Sequence, residues 1–111
     1  MSTVFGKIVA GELPAEKVYE SDTLIAIKDI APKAPVHLLI IPKKEYKNFQ
    51  EIPKEELSIL AEIGEVAQTL AAQFGVADNY RLLTNNGTEA GQTVFHLHFH
   101  LIGGKLLGDM A

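Results

Sequence analysis

At 111 residues, 47% of them apolar, and with no low-complexity tract, the chain has the length and composition of one folded domain with a real core, residues 1–111. A formal charge of −4 with dispersed Lys and Arg excludes the basic footprint of a protein that grips nucleic acid, although a single nucleotide needs only a local site. The lack of cysteine excludes a disulfide framework and any thiolate zinc site; with no basic leader at Met1-Ser2-Thr3 and no run of about 20 apolar residues, a cytoplasmic location away from membranes is expected.

Thr3 is placed to cap a short helix over residues 4–10, in which Val4, Phe5, Ile8 and Val9 share one face and Gly11 and Pro14 form the stop. Residues 16–20 and 23–28, joined at Ser21-Asp22, predict a β-hairpin. Two prolines, Pro32 and Pro35, make residues 29–35 a loop. Residues 36–41 are apolar at both parities and end at Pro42, which predicts a central strand covered on both faces. After a polar connection, Pro53 opens the one long helix: Leu57, Leu60, Ile63, Ala67, Leu70 and Phe74 recur at spacings of three and four, and Gly75 stops it. A strand over 80–85 and a loop over 86–91 lead into a last strand over 94–102. Helix, three strands, helix, two strands, without crossover helices between most of the strands, predicts an α+β fold: an antiparallel sheet of about five strands with one long and one short helix.

The last stretch holds three of the four histidines. Strand alternation sends His96, His98 and His100 to one face and Phe95, Leu97, Phe99 and Leu101 to the other. Same-face neighbours lie about 6.5–7 Å apart, close enough for three rings to surround one anionic group or one metal ion. A solvated face would mix Lys, Glu, Thr and Ser, and a packing face would use Val or Ile, so the pattern is chemical rather than structural.

The run His96-Leu97-His98-Phe99-His100-Leu101-Ile102 resembles the signature of the histidine-triad (HIT) superfamily of nucleotide hydrolases and transferases. The resemblance spans almost the whole chain, through Phe5-Gly6-Lys7-Ile8, Lys28-Asp29-Ile30 with Pro32 and Pro35, His37 with Ile41-Pro42-Lys43-Lys44, and Asn85 to Gly91-Gln92-Thr93. Gly103-Gly104 is similar to the histidine-triad nucleotide-binding (Hint) branch of purine-nucleoside phosphoramidases. This resemblance implies a HIT-like fold, a homodimer, and cleavage of AMP- or GMP-linked amines at the α-phosphate through a nucleotidyl-histidine. His98, at the centre of the triad, is the expected nucleophile, since an imidazole with one free nitrogen and the other tethered is competent near neutral pH. His100 and the backbone N–H groups of Gly91, Gln92 and Thr93 are the expected donors to phosphate oxygens, and His96 and His37 the supporting shell. Asp29 matches the family's ribose acceptor, and Phe5, Ile8, Ile27 and Ile30 its base-sandwiching positions. Asn85 matches a ribose- or phosphate-contacting position, and the Thr93 hydroxyl a relay of the leaving-group proton.

Some residues depart from the pattern. Thr93 stands where serine is frequent, Ala90 where glycine is common, and residues 105–111 lack the tryptophan of animal members and are similar to bacterial tails. No cofactor and no metal are expected, because neither Cys nor an acidic cluster stands ready in sequence beside the histidines. Two other classes share these residues: a nucleotide-binding interaction module with vestigial hydrolysis, and a His-rich metal-binding protein.

Overall fold

In the computed structural model, which describes residues 3–110, five strands form one antiparallel sheet in the order β1-β2-β3-β5-β4. The elements are α1 (Val4–Val9), β1 (Lys17–Glu20), β2 (Leu24–Lys28), β3 (Val36–Pro42), α2 (Ile59–Gln73), β4 (Tyr80–Leu83) and β5 (Phe99–Gly103). This is the expected α+β fold, with one long and one short helix. Met1, Ser2 and Ala111, which enter the readings of the N-terminus and the tail, lie outside the described residues.

β3 is central, and its both-parity apolar pattern has the expected cause. Leu38 and Ile40 join Leu24, Ala26, Leu97 and Leu101 beneath α2, whose Ile59, Ile63, Val66, Ala67, Leu70 and Ala71 complete the larger core. Leu39 and Ile41 face the other way and pack with Ile25, Ile27, Phe5 and Ile8 under α1. The Thr3 side chain accepts the Gly6 N–H at 3.1 Å, capping α1 as its sequence position suggests. Gly11 and Gly75 follow the two helices at φ of 80° and 76°, a left-handed conformation that glycine adopts without strain.

Several element boundaries depart from expectation, β4 among them, which ends at Leu83 rather than at residue 85. β3 runs through Pro42, which pairs with Leu24, instead of stopping before it. The long helix begins at Ile59, not at Pro53: Lys54–Glu56 form a separate 3₁₀ turn, held where the Tyr46 hydroxyl donates to Glu56 Oε1 at 2.7 Å, and Leu57 is left exposed. Phe74 is the residue after the helix rather than its last turn.

A further departure concerns the histidines. β5 covers only Phe99–Gly103, and residues 94–98 are irregular. The register pairs Ile40 with Phe99 and Leu39 with His100; continued, it would set Leu97 opposite Pro42, which has no N–H for a ladder bond. Leu97 N–H instead donates to Tyr46 O at 2.7 Å, and Pro42 O accepts from His96. Alternation therefore survives in part: Leu97 and Leu101 are buried and Phe99 packs on the larger core, while Phe95 turns outward instead of joining them.

Candidate active site

The sheet's α1 face carries the site. In the register Ile27 is opposite Leu39 and Leu39 opposite His100, so the three share one row, and His37 lies on the same face diagonal to His100. Helix α1 roofs this row with Phe5, whose ring stands edge-on to His98 at 4.8 Å between centroids. A cavity of about 400 Å³ results, within the range of small-molecule sites. Of the residues singled out in the sequence, Phe5, Ile8, Ile27, Asp29, Ile30, Thr93, His98 and His100 line it together. Ile30 is 98% exposed, at the rim.

Backbone groups set the protonation of His96, His98 and His37, and His37 in turn sets that of His100. Pro42 O can only accept, so His96 donates from Nε2 at 2.8 Å, and Nδ1 accepts from the Thr3 hydroxyl at 3.2 Å. His96 is wholly buried and pins α1, β3 and the irregular segment together. His98 Nδ1–H donates to His96 O at 2.8 Å, which leaves Nε2 with its lone pair free. The Lys33 amide donates to His37 Nδ1 at 3.0 Å, so a neutral His37 carries its proton on Nε2 and passes a hydrogen bond to His100 Nδ1 at 2.9 Å. His100 then keeps its own proton on Nε2, as a donor.

Burial pushes His98, His100 and His37 towards the neutral form. Desolvation lowers His98 below the usual imidazole value, with the hydrogen bond to His96 O opposing it. His100 is taken down to about 4 by desolvation, reinforced by His98 and His37. For His37 desolvation again leads, and the charge of Asp29 works against it. A free lone pair on one ring beside a donor on the next is what nucleophilic displacement at phosphorus requires.

Asp29, His37 and His100 bring one ligand atom each within 4.8 Å of one another, so an acidic group does complete a set that the sequence alone did not assemble. The polarity of the set argues against a cation. To bind through Nε2, His37 would move its proton to Nδ1, the atom that the Lys33 N–H already occupies.

Other expected residues stand apart from the cavity walls. The amides of Gly91 and Gln92 donate to Thr88 O and Gly87 O, within the turn, rather than standing free for a phosphate. The Gln92 side chain is buried: its Oε1 accepts from Gly87 N at 2.8 Å, and its Nε2 donates to Lys47 O at 2.8 Å and Val94 O at 3.0 Å. Asn85 sits against Gly91, whose φ of 99° calls for glycine. Sequence reasoning missed Leu13, Pro14 and Ala15 as cavity walls, since only the return of the chain after α1 brings them there. It also missed the Lys33 amide, for which no side-chain signal exists. A wider groove of about 890 Å³ along residues 75–81 and 104–107 contains no histidine and lies away from this chemistry.

Fold and histidine geometry together define a class, the small α+β proteins in which two triad histidines line a cavity under a short helix and the other is buried behind them. A HIT domain model matches residues 10–106, and the chain belongs to the HIT family. It is 57% identical over 109 residues to a HIT-like protein of Chlamydia pneumoniae, covering 98% of this chain and 99% of the relative. Among solved structures, a HIT family hydrolase from Clostridium thermocellum superposes with a TM-score of 0.94 at 50% identity, covering 98% of this chain and 96% of the other. A hypothetical histidine triad nucleotide-binding protein from Sulfolobus tokodaii superposes with a TM-score of 0.77 at 40% identity, over 88% of this chain and 66% of the other. At the coarse level the chain is a HIT family hydrolase-like protein.

Proposed function

We propose that this chain is a purine nucleoside phosphoramidase of the Hint branch, which hydrolyses AMP- or GMP-linked amines in the cytoplasm as a homodimer of single HIT domains spanning residues 1–111. The observation that carries the reading is His98, whose Nδ1–H is tethered to His96 O while Nε2 remains free in a ring that lines the cavity. The Sulfolobus relative's name as a nucleotide-binding protein supports a nucleotide ligand.

In this reading the apolar walls Phe5, Ile8, Ile27 and Ile30 hold the base and Asp29 takes the ribose hydroxyls. His98 Nε2 attacks the α-phosphorus, forming a phosphorus–nitrogen bond to the ring as the bond to the amine breaks. His100 Nε2–H faces the charge that builds on a non-bridging oxygen. The amine leaves with a proton, for which the exposed Thr93 hydroxyl at the cavity wall is the proposed relay. Water then cleaves the nucleotidyl-histidine and restores the ring. The wiring of His37 and His100 through one shared proton favours this metal-free chemistry.

Turnover of adenosine 5′-phosphoramidate, with acid-quench trapping of an adenylylated protein, tests the proposal. Release of AMP through a covalent intermediate on His98 is expected. Tight nucleotide binding without turnover would leave a binding module whose hydrolysis is vestigial.

A further inference from the structure

Asp29 has more to do than a turn residue needs. Its Oδ1 accepts the Ala31 N–H at 2.8 Å, which accounts for the turn after β2. Its Oδ2 lies 3.3 Å from His37 Nε2, the nitrogen that also hydrogen-bonds His100 Nδ1 at 2.9 Å. Only 18% of the Asp29 side chain and 3% of the His37 side chain reach solvent, so their interaction is screened far less than that of a surface pair. Asp29 also lines the cavity, as does His100.

We propose that Asp29 is a positioning residue that couples ribose recognition to the His37–His100 pair, because one carboxylate serves both the cavity and the nitrogen through which those rings share a proton. The ribose half rests on the phosphoramidase reading above; the electrostatic half rests on the distances alone. With the cavity empty, the Asp29 charge favours any added proton on His37 and His100, and it opposes their desolvation. The other groups facing His37 are the Lys33 charge and amide and the ring of His100, with His98 beyond. When hydroxyl donors bind to the carboxylate, part of its charge is neutralised and the pair becomes a more acidic donor, ready for the oxygen at phosphorus. A nucleotide lacking those hydroxyls would bind in the same cavity with the pair unprepared.

The full-length chain and its Asp29→Asn variant test this, since asparagine keeps an oxygen for the Ala31 amide while the charge is lost and an amide NH2 replaces the oxygen that faces His37. Ring ¹⁵N NMR of the free proteins should show the titrations of His37 and His100 moving to lower pH in the variant. Titrations that do not move overturn the proposal, whatever the enzyme's activity. Kinetics with a 2′,3′-dideoxyadenosine phosphoramidate then separate the two duties of Asp29, because this substrate has no diol to lose. Asp29→Asn should raise kcat on it by roughly two- to tenfold, because loss of the charge does what the absent diol cannot and leaves the pair a more acidic donor. Equal kcat values would reduce Asp29 to a ribose contact and overturn the coupling. If the unaltered chain turns over neither the ribose nor the dideoxy substrate, the phosphoramidase reading falls and the ribose half of the coupling falls with it. The NMR titration still decides the link from Asp29 to His37.

Discussion

Each histidine of the site has at least one nitrogen committed to a backbone group or a neighbouring ring, and the commitments differ enough to give the rings different work. His98 keeps a lone pair because a carbonyl holds its other nitrogen, whereas His100 keeps a proton because His37 donates to it. His98→Ala is therefore expected to lower turnover of the phosphoramidate by about 10²–10⁴-fold with nucleotide affinity largely intact, measured by single-turnover kinetics and calorimetry. An unchanged single-turnover rate would remove His98 from the nucleophile's role. The lowered values of His98, His37 and His100 also fix the sign of a pH effect on stability. Below an ordinary imidazole's value the unfolded chain binds protons that the folded chain refuses, so unfolding free energy falls as pH drops. For His100 this loss runs from an ordinary imidazole's value of about 6.5 down to about 4 and then levels off. Urea midpoints should be lower at pH 5 than at pH 7, and His100→Gln should flatten the difference; a midpoint independent of pH would contradict it.

At the level of elements, the Gln92 side-chain amide ties the loop over residues 86–94 to itself and to Lys47. Gln92→Ala would leave Gly87 N, Lys47 O and Val94 O without their partner in a partly buried setting, at a cost of about 1–3 kcal/mol. A lower unfolding temperature is expected, together with weakened turnover as Thr93 loses its placement; a loss below about 0.5 kcal/mol, the size of an ordinary surface change, would mean the loop holds itself. This fastening was not legible in the sequence, where Gln92 matched only a family position. Periodicity gave the order of elements because burial on a sheet face or helix stripe leaves a local trace, as in Leu38 to Ile41 and Ile63 to Leu70. It misread residues 94–98 because their partner is not local. Whether alternating residues form a ladder depends on what lies opposite, and opposite Leu97 lies a proline. The triad's chemistry was legible in residue types, while the choice of nitrogens rests on Lys33 N, His96 O and Pro42 O, backbone groups that carry no sequence signature.

The whole molecule has two sheet edges that differ in character. β1 carries Lys17 and Glu20 in ion pairs with each other and with Lys43, a charged edge that discourages strand addition. β4 carries Leu82, 38% exposed, and the Arg81 guanidinium on this strand binds Gly108 O at 2.8 Å, drawing in a tail whose Leu106 is 96% exposed. Exposed apolar surface therefore gathers around β4, where a second copy offers the same strand and the same tail by two-fold symmetry. Pairing of the two β4 edges would join two five-stranded sheets into one and cover surface on the order of the 1,200–2,000 Å² of a stable interface. Light scattering at micromolar concentration should then give twice the 12.1 kDa chain mass. Leu82→Lys, which sets like charges against each other across the two-fold axis without touching the cavity, should return the mass to 12.1 kDa while circular dichroism stays unchanged. A monomeric unaltered chain would refute the dimer, and a dimer indifferent to Leu82→Lys would move its interface away from β4.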